Sequence, residues 1–298
     1  MKDKASVPLD LITKYHLANP NGSLRYEITS VNGLTFLIDP EKPKLEPGEM
    51  AVYPYADEAS TLLEVASTII AGREKPFSLA IDPFSGDGKS GLPIVHNKIA
   101  DRISGIDINP RAIHLAQANA ELNGLADVSD FTVADITKGL PHSDFPGNTL
   151  YIANPPFALK AKGANMATMR DGGENGLALT MAYATHAIKD AQPGDVIIGI
   201  GYSRIRPDDG IELEEELQKL IGQHGGKLTI ALIEGQALWR GFTGKKEQPN
   251  PMPISKETFA LKANPSNQAE ISAYETAAQA HNDDGYDRLG YYSYVIRK

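Results

Sequence analysis

Cysteine is absent from the 298 residues of this sequence. Its absence excludes disulfide bonds, thiolate metal sites and a cysteine nucleophile, and it is typical of proteins that work in a reducing compartment. The longest apolar runs have the length of strands, so none is expected to span a membrane, and the N-terminal segment lacks an apolar core of signal-peptide length. We therefore expect a cytoplasmic protein with no membrane partner.

The sequence also lacks an excess of positive charge. Its 29 lysines and arginines are outnumbered by 38 aspartates and glutamates, for a net charge of −9. No overall basic field therefore favours a nucleic acid, although a local basic strip would suffice to bind one. With 41% hydrophobic and 22% charged residues, the composition is typical of a globular protein with a sizeable core.

Short apolar strands alternate with helical segments from residue 77 onward, a pattern typical of a parallel sheet covered by helices on both faces. The predicted helices are 90–102, 110–123, 174–190 and 211–224, and the predicted strands are 78–82, 103–107, 131–134, 149–153, 196–201, 227–233 and 291–296. We therefore expect an α/β fold with a Rossmann-like, doubly wound sheet of seven strands.

The chain before this sheet has a different pattern. β-rich runs at 24–31 and 34–39 flank Asn32-Gly33, a pair that favours the positive φ angles of a two-residue hairpin turn. Apolar residues spaced for one helix face predict a helix over 57–70. We expect residues 1–54 to form a hairpin extension with a linker and residues 55–298 to form the main domain. Within that domain an irregular insertion over 235–288 is a candidate substrate lid.

A glycine-rich loop, Gly86-Asp-Gly-Lys-Ser-Gly91, follows the first predicted strand of the sheet, and three interpretations compete for it. A phosphate-binding P-loop would need glycine at position 83, where the sequence has Pro83. The spacing of the glycines also matches a dinucleotide fingerprint, which is a weak signal alone. Asp82 at the strand end would repel a pyrophosphate but suits a ligand with a positive amine. The loop thus favours S-adenosylmethionine over NAD.

The stretch Asp82-Pro-Phe-Ser-Gly-Asp-Gly88 resembles motif I of the class I S-adenosylmethionine-dependent methyltransferases. In that family an acidic residue at the end of the next strand binds the ribose hydroxyls, and Asp107 stands at that place. The resemblance also implies that Asp135 binds the adenine amino group, with a turn aspartate as the alternative. The implied cofactor-binding residues are Asp82, Phe84, Gly86, Gly88, Asp107, Ile108, Asp135, Ile136 and Asn154.

The tetrapeptide Asn154-Pro-Pro-Phe157 follows the fourth predicted strand. Pro155 and Pro156 fix the backbone and remove two donors, so the turn presents hydrogen-bond acceptors. The Asn154 amide oxygen and the Pro155 carbonyl can hold an –NH₂ group by both hydrogens, and Phe157 can stack on a planar amide or base. The motif resembles that of amino-methyltransferases, so the expected catalytic residues are Asn154, Pro155, Pro156 and Phe157. A purely structural proline turn is the alternative.

Two further stretches narrow this resemblance. Residues 52–64 and 171–177 resemble segments of the release-factor glutamine methyltransferases and of the methyltransferase small-domain family, although Asn175 stands where Asp is usual. The resemblance implies that a protein glutamine is the methyl acceptor, and the negative net charge agrees with a protein substrate.

Basic residues near the proline turn and in the insertion are candidate substrate contacts. They are Lys160, Lys162, Arg170 and Arg240, with Trp239, the only tryptophan, among them. Basic residues beside an aromatic ring suit a single-stranded nucleic acid or a phosphorylated metabolite, whereas solvated loop lysines and a Trp that anchors the insertion are the alternative. The histidines are scattered, and no metal site is expected.

We therefore expect an S-adenosylmethionine-dependent N-methyltransferase that acts on a planar amide or exocyclic amine, with a slight preference for a protein glutamine. The first alternative is an RNA or DNA base, at adenine N6 or guanine N2, and the second is a small-molecule amine. A non-catalytic cofactor-binding module and an NAD oxidoreductase are the remaining alternatives.

Overall fold

The computed structural model of the chain describes residues 7–40, 42–54, 57–140, 148–162, 168–233, 250–260 and 267–298. Its helices are α1 (Leu9–Lys14), α2 (Asp57–Ile70), α3 (Leu92–His96), α4 (Pro110–Leu122), α5 (Ala178–Asp190), α6 (Glu212–His224), α7 (Lys256–Ala260) and α8 (Gln268–Asp283). Its strands are β1 (Glu27–Val31), β2 (Leu34–Ile38), β3 (Leu79–Asp82), β4 (Ile103–Asp107), β5 (Ser129–Val133), β6 (Thr149–Ala153), β7 (Val196–Ile205), β8 (Lys227–Leu232), β9 (Met252–Pro253) and β10 (Arg288–Arg297).

The main sheet has the strand order β5-β4-β3-β6-β7-β10-β8, with the short β9 beside β10. β3 is parallel to β4 and β6, and β4 is parallel to β5, whereas β8 and β9 are antiparallel to β10. The chain proceeds outward from β3 to β5 and then restarts on the other side of β3 with β6. In such sheets, ligands bind at the carboxyl ends of the strands where the order reverses. The predicted doubly wound α/β fold is confirmed.

The chain divides into two compact units. The first comprises Met1–Asn154 with Gly194–Ile198, and the second comprises Pro155–Pro193 with Gly199–Lys298. The first unit contains β3 to β6, and the second contains β8 to β10. The N-terminal hairpin belongs to the first unit together with the strands that begin the sheet. The predicted division between residues 54 and 55 stays a prediction.

The predicted N-terminal hairpin is present as β1 and β2. Asn32 and Gly33 have φ angles of 50° and 84°, as a type I′ turn requires, and Val31 pairs with Leu34 across the turn. The hairpin also contributes to a core in which Tyr26 and Leu37 pack with three apolar residues of α4, namely Ala112, Leu115 and Ala118. This burial ties the N-terminal extension to the helix that follows β4.

The predicted helix over 90–102 is wrong in length, because the structure has only α3. The chain leaves the helix at Lys98, whose φ of 57° is left-handed. The Lys98 N–H donates to the Val95 carbonyl and the Ile99 N–H to the Ile94 carbonyl. These two bonds form a Schellman motif, which ends helices and usually has glycine at the position of Lys98. The sequence therefore offered no glycine to mark this end.

Two other predicted bounds change. The helix expected from residue 174 begins at Ala178, because Gly173 and Gly176 have φ angles of 82° and 76° and keep the preceding residues in turns. The described part of the predicted insertion contains β9, α7 and α8, and the last strand begins at Arg288 rather than residue 291.

Among the described residues, no helix is long and apolar enough to cross a lipid bilayer. The same segments contain no group of three or more His, Asp or Glu side chains placed to hold a metal ion.

Candidate active site

Four residues predicted for cofactor binding stand at the carboxyl ends of four neighbouring strands of the first unit. Asp82 ends β3 and Asp107 ends β4, while Asp135 comes two residues after β5 and Asn154 directly after β6. Because these strands are adjacent in the order β5-β4-β3-β6, the topology collects residues from four separate motifs along one sheet edge.

Asp82 is completely buried. Its Oδ1 accepts a hydrogen bond of 3.3 Å from the Phe84 N–H, whereas its Oδ2 has no hydrogen-bond partner among the described residues. Burial raises the pKa of the Asp82 carboxyl to about 7, the Phe84 N–H opposes this rise, and the negative charge of Asp107 adds to it. An ionised Asp82 therefore lacks a compensating positive group, which a cationic ligand would supply.

Asp107 connects the glycine loop to the start of α4. Its Oδ2 accepts from the Gly86 N–H at 3.0 Å, and its Oδ1 accepts from the Asn109 N–H at 2.8 Å. Burial also raises the pKa of this carboxyl, while the backbone N–H donors of Asn109, Gly86 and Ile108 oppose the rise. Since each carboxylate oxygen can accept two hydrogen bonds, both still have capacity for hydroxyl donors.

The surface beside Asp107 is open. Gly86 has a φ of 52°, and a Cβ added there would meet no heavy atom within 4 Å. The next residue after Asp107 is Ile108, an apolar side chain that is 52% exposed. An open glycine turn and an exposed apolar side chain next to a carboxylate are features that a nucleoside could cover.

Lys89, the residue that suggested a P-loop, is engaged inside the protein. Its Nζ donates to the Asp87 carboxylate at 2.7 Å and to the Tyr53 carbonyl at 2.5 Å, and the side chain is buried. Asn119 of α4 donates to the Asp87 carbonyl at 2.9 Å. These hydrogen bonds hold the glycine-rich loop in place, so Lys89 has a structural role.

The remaining predicted cofactor residues have distinct surroundings. Gly88 has a φ of 87° and a Cβ there would lie 3.0 Å from Leu92, so the position requires glycine. Asp135 caps a short 3₁₀ helix, where its Oδ1 accepts from the Thr137 N–H and hydroxyl. These bonds, the hydroxyl foremost, lower the pKa of Asp135. Ile136 is buried, and Phe84 is partly buried. Asp135 thus caps a turn, and its Oδ2 forms an ion pair of 3.8 Å with the Lys138 Nζ. Its role in cofactor binding stays a prediction.

Asn154 is the last residue of the first unit, and its side chain is partly buried. Within the described residues its side-chain amide makes no hydrogen bond. The two prolines that follow have no N–H, so their backbone cannot donate a hydrogen bond to a bound ligand. Asn154 therefore presents an unused amide oxygen and amide nitrogen at the end of β6.

Phe157 lies in an aromatic cluster of the second unit. Its ring centroid is 4.7 Å from that of Tyr202 on β7 and 5.4 Å from that of Tyr291 on β10, and the two tyrosine rings are 5.3 Å apart. The tilted and edge-on geometries are the favourable ones for aromatic pairs. Both tyrosines are buried, whereas Phe157 is partly exposed. The cluster orients the Phe157 ring.

Two glycines that the catalytic prediction omitted pack against the backbone of Phe157. A Cβ on Gly172 would lie 2.6 Å from the Phe157 Cα, and a Cβ on Gly176 would lie 2.6 Å from the Phe157 carbonyl oxygen. The 172–177 loop is also bonded to the residues after Phe157, through Gly172 N–H to the Ala158 carbonyl and Lys160 N–H to the Gly173 carbonyl. The signal for this role was in the sequence, as the glycine-rich stretch 171–177.

The basic residues predicted to contact substrate have different surroundings where the structure describes them. Lys160 forms an ion pair with Asp171 at 2.5 Å, Lys162 is exposed, and Arg170 is partly buried. Trp239 and Arg240 lie outside the described residues. The substrate role of all five stays a prediction.

No protein-family model matches the chain. Two curated proteins match about a third of it. The 23S rRNA (uracil(1939)-C(5))-methyltransferase RlmD of Acidithiobacillus ferrooxidans is 28% identical over 107 residues, 35% of this chain and 24% of that protein. An uncharacterized RNA methyltransferase of Prochlorococcus marinus is 33% identical over 99 residues, 33% of this chain and 22% of that protein. The chain thus matches less than a quarter of the length of these relatives.

Among solved structures, the chain resembles TYW2 of M. jannaschii, determined in complex with AdoMet. The TM-score is 0.50 at 13% sequence identity, and the match covers 93% of this chain and 89% of that one. A likeness at this identity concerns the fold. The chain therefore has the Rossmann-like fold of class I S-adenosylmethionine-dependent methyltransferases, as the motif I resemblance predicted.

Proposed function

We propose that the protein is an S-adenosylmethionine-dependent methyltransferase whose acceptor is the nitrogen of a planar amine or amide. The observation that carries the proposal is the Asn154 side chain, which stands at the end of β6 with no hydrogen-bond partner among the described residues. It is followed by two prolines, which lack a backbone N–H, and by Phe157, a partly exposed residue.

The residues of the first unit fit S-adenosylmethionine. The Asp82 Oδ2 is a buried acceptor with no hydrogen-bond partner in the described part of the chain, and it suits the positive charge of this cofactor. Asp107 has capacity for the ribose hydroxyls, and the exposed Ile108 suits one face of the adenine. When bound, the cofactor supplies an electrophilic methyl group, whose bond to sulfur breaks as its bond to the acceptor nitrogen forms.

The acceptor turn, residues 154–157, would act by positioning. Asn154 and the Pro155 carbonyl accept hydrogen bonds from the two hydrogens of the acceptor –NH₂, which orients the nitrogen lone pair and stabilises the positive charge that develops on nitrogen. Phe157 stacks on the planar group that carries the nitrogen. The extra proton then leaves the methylated nitrogen to water.

An exocyclic amine of an RNA base is the acceptor that we propose. Both curated relatives are named as RNA methyltransferases, which supports an RNA substrate. The 171–177 stretch, which suggested a protein glutamine, has a packing role beneath Phe157 that serves either acceptor equally. A glutamine side chain is the second candidate, because its amide presents the same –NH₂ geometry to Asn154.

Calorimetric titration of the purified protein with S-adenosylhomocysteine, NAD and ATP tests the cofactor. We expect binding of S-adenosylhomocysteine alone. Preference for NAD would refute the roles proposed for Asp82 and Asp107.

Asn154→Ala tests the acceptor turn. The substitution removes a hydrogen-bond acceptor that acts mainly in the transition state. It is therefore expected to lower methyl transfer by about 100-fold, while the affinity for S-adenosylhomocysteine stays within a few fold. Asn97→Ala, which removes a side-chain bond to the Pro93 carbonyl at the end of α3, is the matched control and should leave both quantities unchanged. Equal loss of methyl transfer and of cofactor affinity in Asn154→Ala would contradict the proposal that Asn154 binds the –NH₂ group of the substrate.

A further inference from the structure

The loop that supports Phe157 is linked to a buried ionic cluster of the second unit through one side chain. Asn175 lies in the 172–177 loop, where its Oδ1 accepts from the Leu177 N–H at 3.2 Å. Its Nδ2 donates to the Glu212 carboxylate, also at 3.2 Å. Asn175 therefore both shapes the loop and joins it to the first residue of α6.

Glu212 is held in place from its other side. It is buried and bidentate with Arg204 of β7, at 2.6 Å and 2.7 Å. The Arg204 guanidinium also donates to Nδ1 of His281 at 3.0 Å and to Asp284 at 3.3 Å. Since His281 is on α8, this cluster connects the helix of the insertion, through Glu212, to the loop beneath Phe157.

The 172–177 loop has little room to move against Phe157. Gly172 and Gly176 lie so close to the Phe157 backbone that a shift of the loop must move Phe157 or leave it unsupported. Because Phe157 is the proposed stacking residue, the position of Glu212 determines where the acceptor ring is held.

We propose that Asn175 and Glu212 are positioning residues for the methyl acceptor, which act by pressing the 172–177 loop against Phe157. The pair explains why this chain has Asn at position 175. An Asp there would face the Glu212 carboxylate with no proton to donate, whereas the Asn amide donates one. The inference rests on the proposed function for its catalytic consequence, but the link between Glu212 and the loop does not.

The first test measures the loop directly, by amide hydrogen exchange at Lys160, Gly172 and Ala178, whose N–H groups make hydrogen bonds to or from residues of this loop. At pH 8, Asn175→Asp is expected to lower their protection factors roughly tenfold, because a bond to a charged group is replaced by repulsion. Asn175→Asp combined with Glu212→Gln should restore protection, since the amide introduced at position 212 can donate to the carboxylate introduced at position 175. Asn97→Asp is the control for the same change elsewhere and should leave these amides unaffected.

Lowering the pH gives a second measurement on Asn175→Asp alone. At pH 6 the carboxyl group introduced at position 175 can, once protonated, donate to Glu212 as the amide does, so part of the protection should return. Arg204 contacts Glu212 from the other side and is itself bonded to His281 and Asp284, so the wild-type protein is measured at each pH as the reference. If the double variant does not fold, the protection factors of Asn175→Asp at pH 8 and pH 6 test the contact between position 175 and Glu212. Unchanged protection in Asn175→Asp at pH 8, or a loss that neither the double variant nor pH 6 repairs, would overturn the proposal.

Methyl transfer is measured on the same variants. We expect Asn175→Asp to lower transfer at least tenfold with unchanged affinity for S-adenosylhomocysteine, and the double variant to recover. Loop protection that behaves as stated without any methyl transfer in the wild type would refute the proposed function and leave the positioning contact standing.

Discussion

At the scale of single residues, Asp82 has the most unusual surroundings of the predicted cofactor set. The side chain is fully buried, its Oδ2 lacks a partner among the described residues, and burial raises its pKa to about 7. A folded-state pKa above the ordinary 3.8 means that this group destabilises the ligand-free protein progressively as the pH rises from about 4 to 7. A cationic ligand would remove that penalty.

Cofactor binding should therefore depend on pH. The affinity for S-adenosylhomocysteine, whose amino group is positive in this range, is expected to rise from pH 5.5 to 7 and to level off above, with protons released on binding below pH 7. Calorimetry in two buffers of different ionisation enthalpy measures both quantities. In Asp82→Asn the inflection near 7 should disappear, and any dependence left would belong to the other buried carboxyls, Asp87 and Asp107. An identical profile in wild type and Asp82→Asn would contradict this role.

Sequence analysis anticipated the residues at the strand ends because each belongs to a short motif with its own spacing. It could not anticipate how Phe157 is held. Tyr202 and Tyr291 come from distant strands, and no local pattern relates them to the proline turn. Asn175 was noticed as a departure from the family pattern, but its reason, Glu212, required the structure.

At the scale of elements, α4 and the residue that caps its C-terminus hold the N-terminal hairpin by two asparagines one turn apart. Asn119 accepts from the Leu37 N–H and donates to the Leu37 carbonyl, and Asn123 does the same with Thr35. The helix thereby pairs with the edge of β2 much as another strand would. Because Asn119 also bonds to Asp87, it connects the hairpin to the glycine loop.

Asn119→Ala is expected to destabilise the protein by about 2–4 kcal/mol, because three buried backbone groups lose their partner at once. Asn123→Ala should cost less, about 1–2 kcal/mol, because its bonds to Thr35 are only partly buried. Denaturant unfolding followed by circular dichroism measures both values. Equal effects of the two substitutions would show that burial of the Asn119 network contributes nothing.

Gly176 provides an element-scale test of the loop beneath Phe157. Gly176→Ala should lower methyl transfer at least tenfold with unchanged cofactor affinity, because the new Cβ would displace the Phe157 carbonyl. Gly124→Ala is a matched control, since Gly124 has a similar φ of 67° but open space around it. Both variants carry the same backbone strain of about 1 kcal/mol. Equal losses of transfer in the two variants would mean that strain, not the contact with Phe157, is responsible.

Prediction of helices and strands succeeded where the residue types of a turn indicated its conformation, and failed where they did not. Asn32-Gly33 identified the hairpin, and the helix over 57–70 matches α2. The helix expected to reach residue 102 ends at α3, because Lys98 adopts a conformation that the sequence pattern assigns to glycine. The turns at Gly173 and Gly176 likewise make α5 begin four residues later than predicted. The spacing of apolar residues alone does not reveal positive φ angles.

At the scale of the whole molecule, the order of the sheet explains why distant motifs act together. The reversal between β3 and β6 places the ends of four strands along one edge, so four motifs from separate parts of the chain become neighbours. The fold predicts the class of cofactor but not the acceptor, because acceptors are recognised by residues grafted onto the fold.

The central claim is that the transferred methyl group ends on a nitrogen. The most direct test incubates the protein with S-adenosylmethionine carrying a deuterated methyl group, together with unmodified RNA transcripts or glutamine-containing peptides. Digestion to nucleosides and amino acids, followed by mass spectrometry, then locates the label. We predict label on an exocyclic amino group of a base, or on a glutamine amide as the second candidate, and about 100-fold less label with Asn154→Ala. Label on a base carbon or a ribose oxygen would contradict the account.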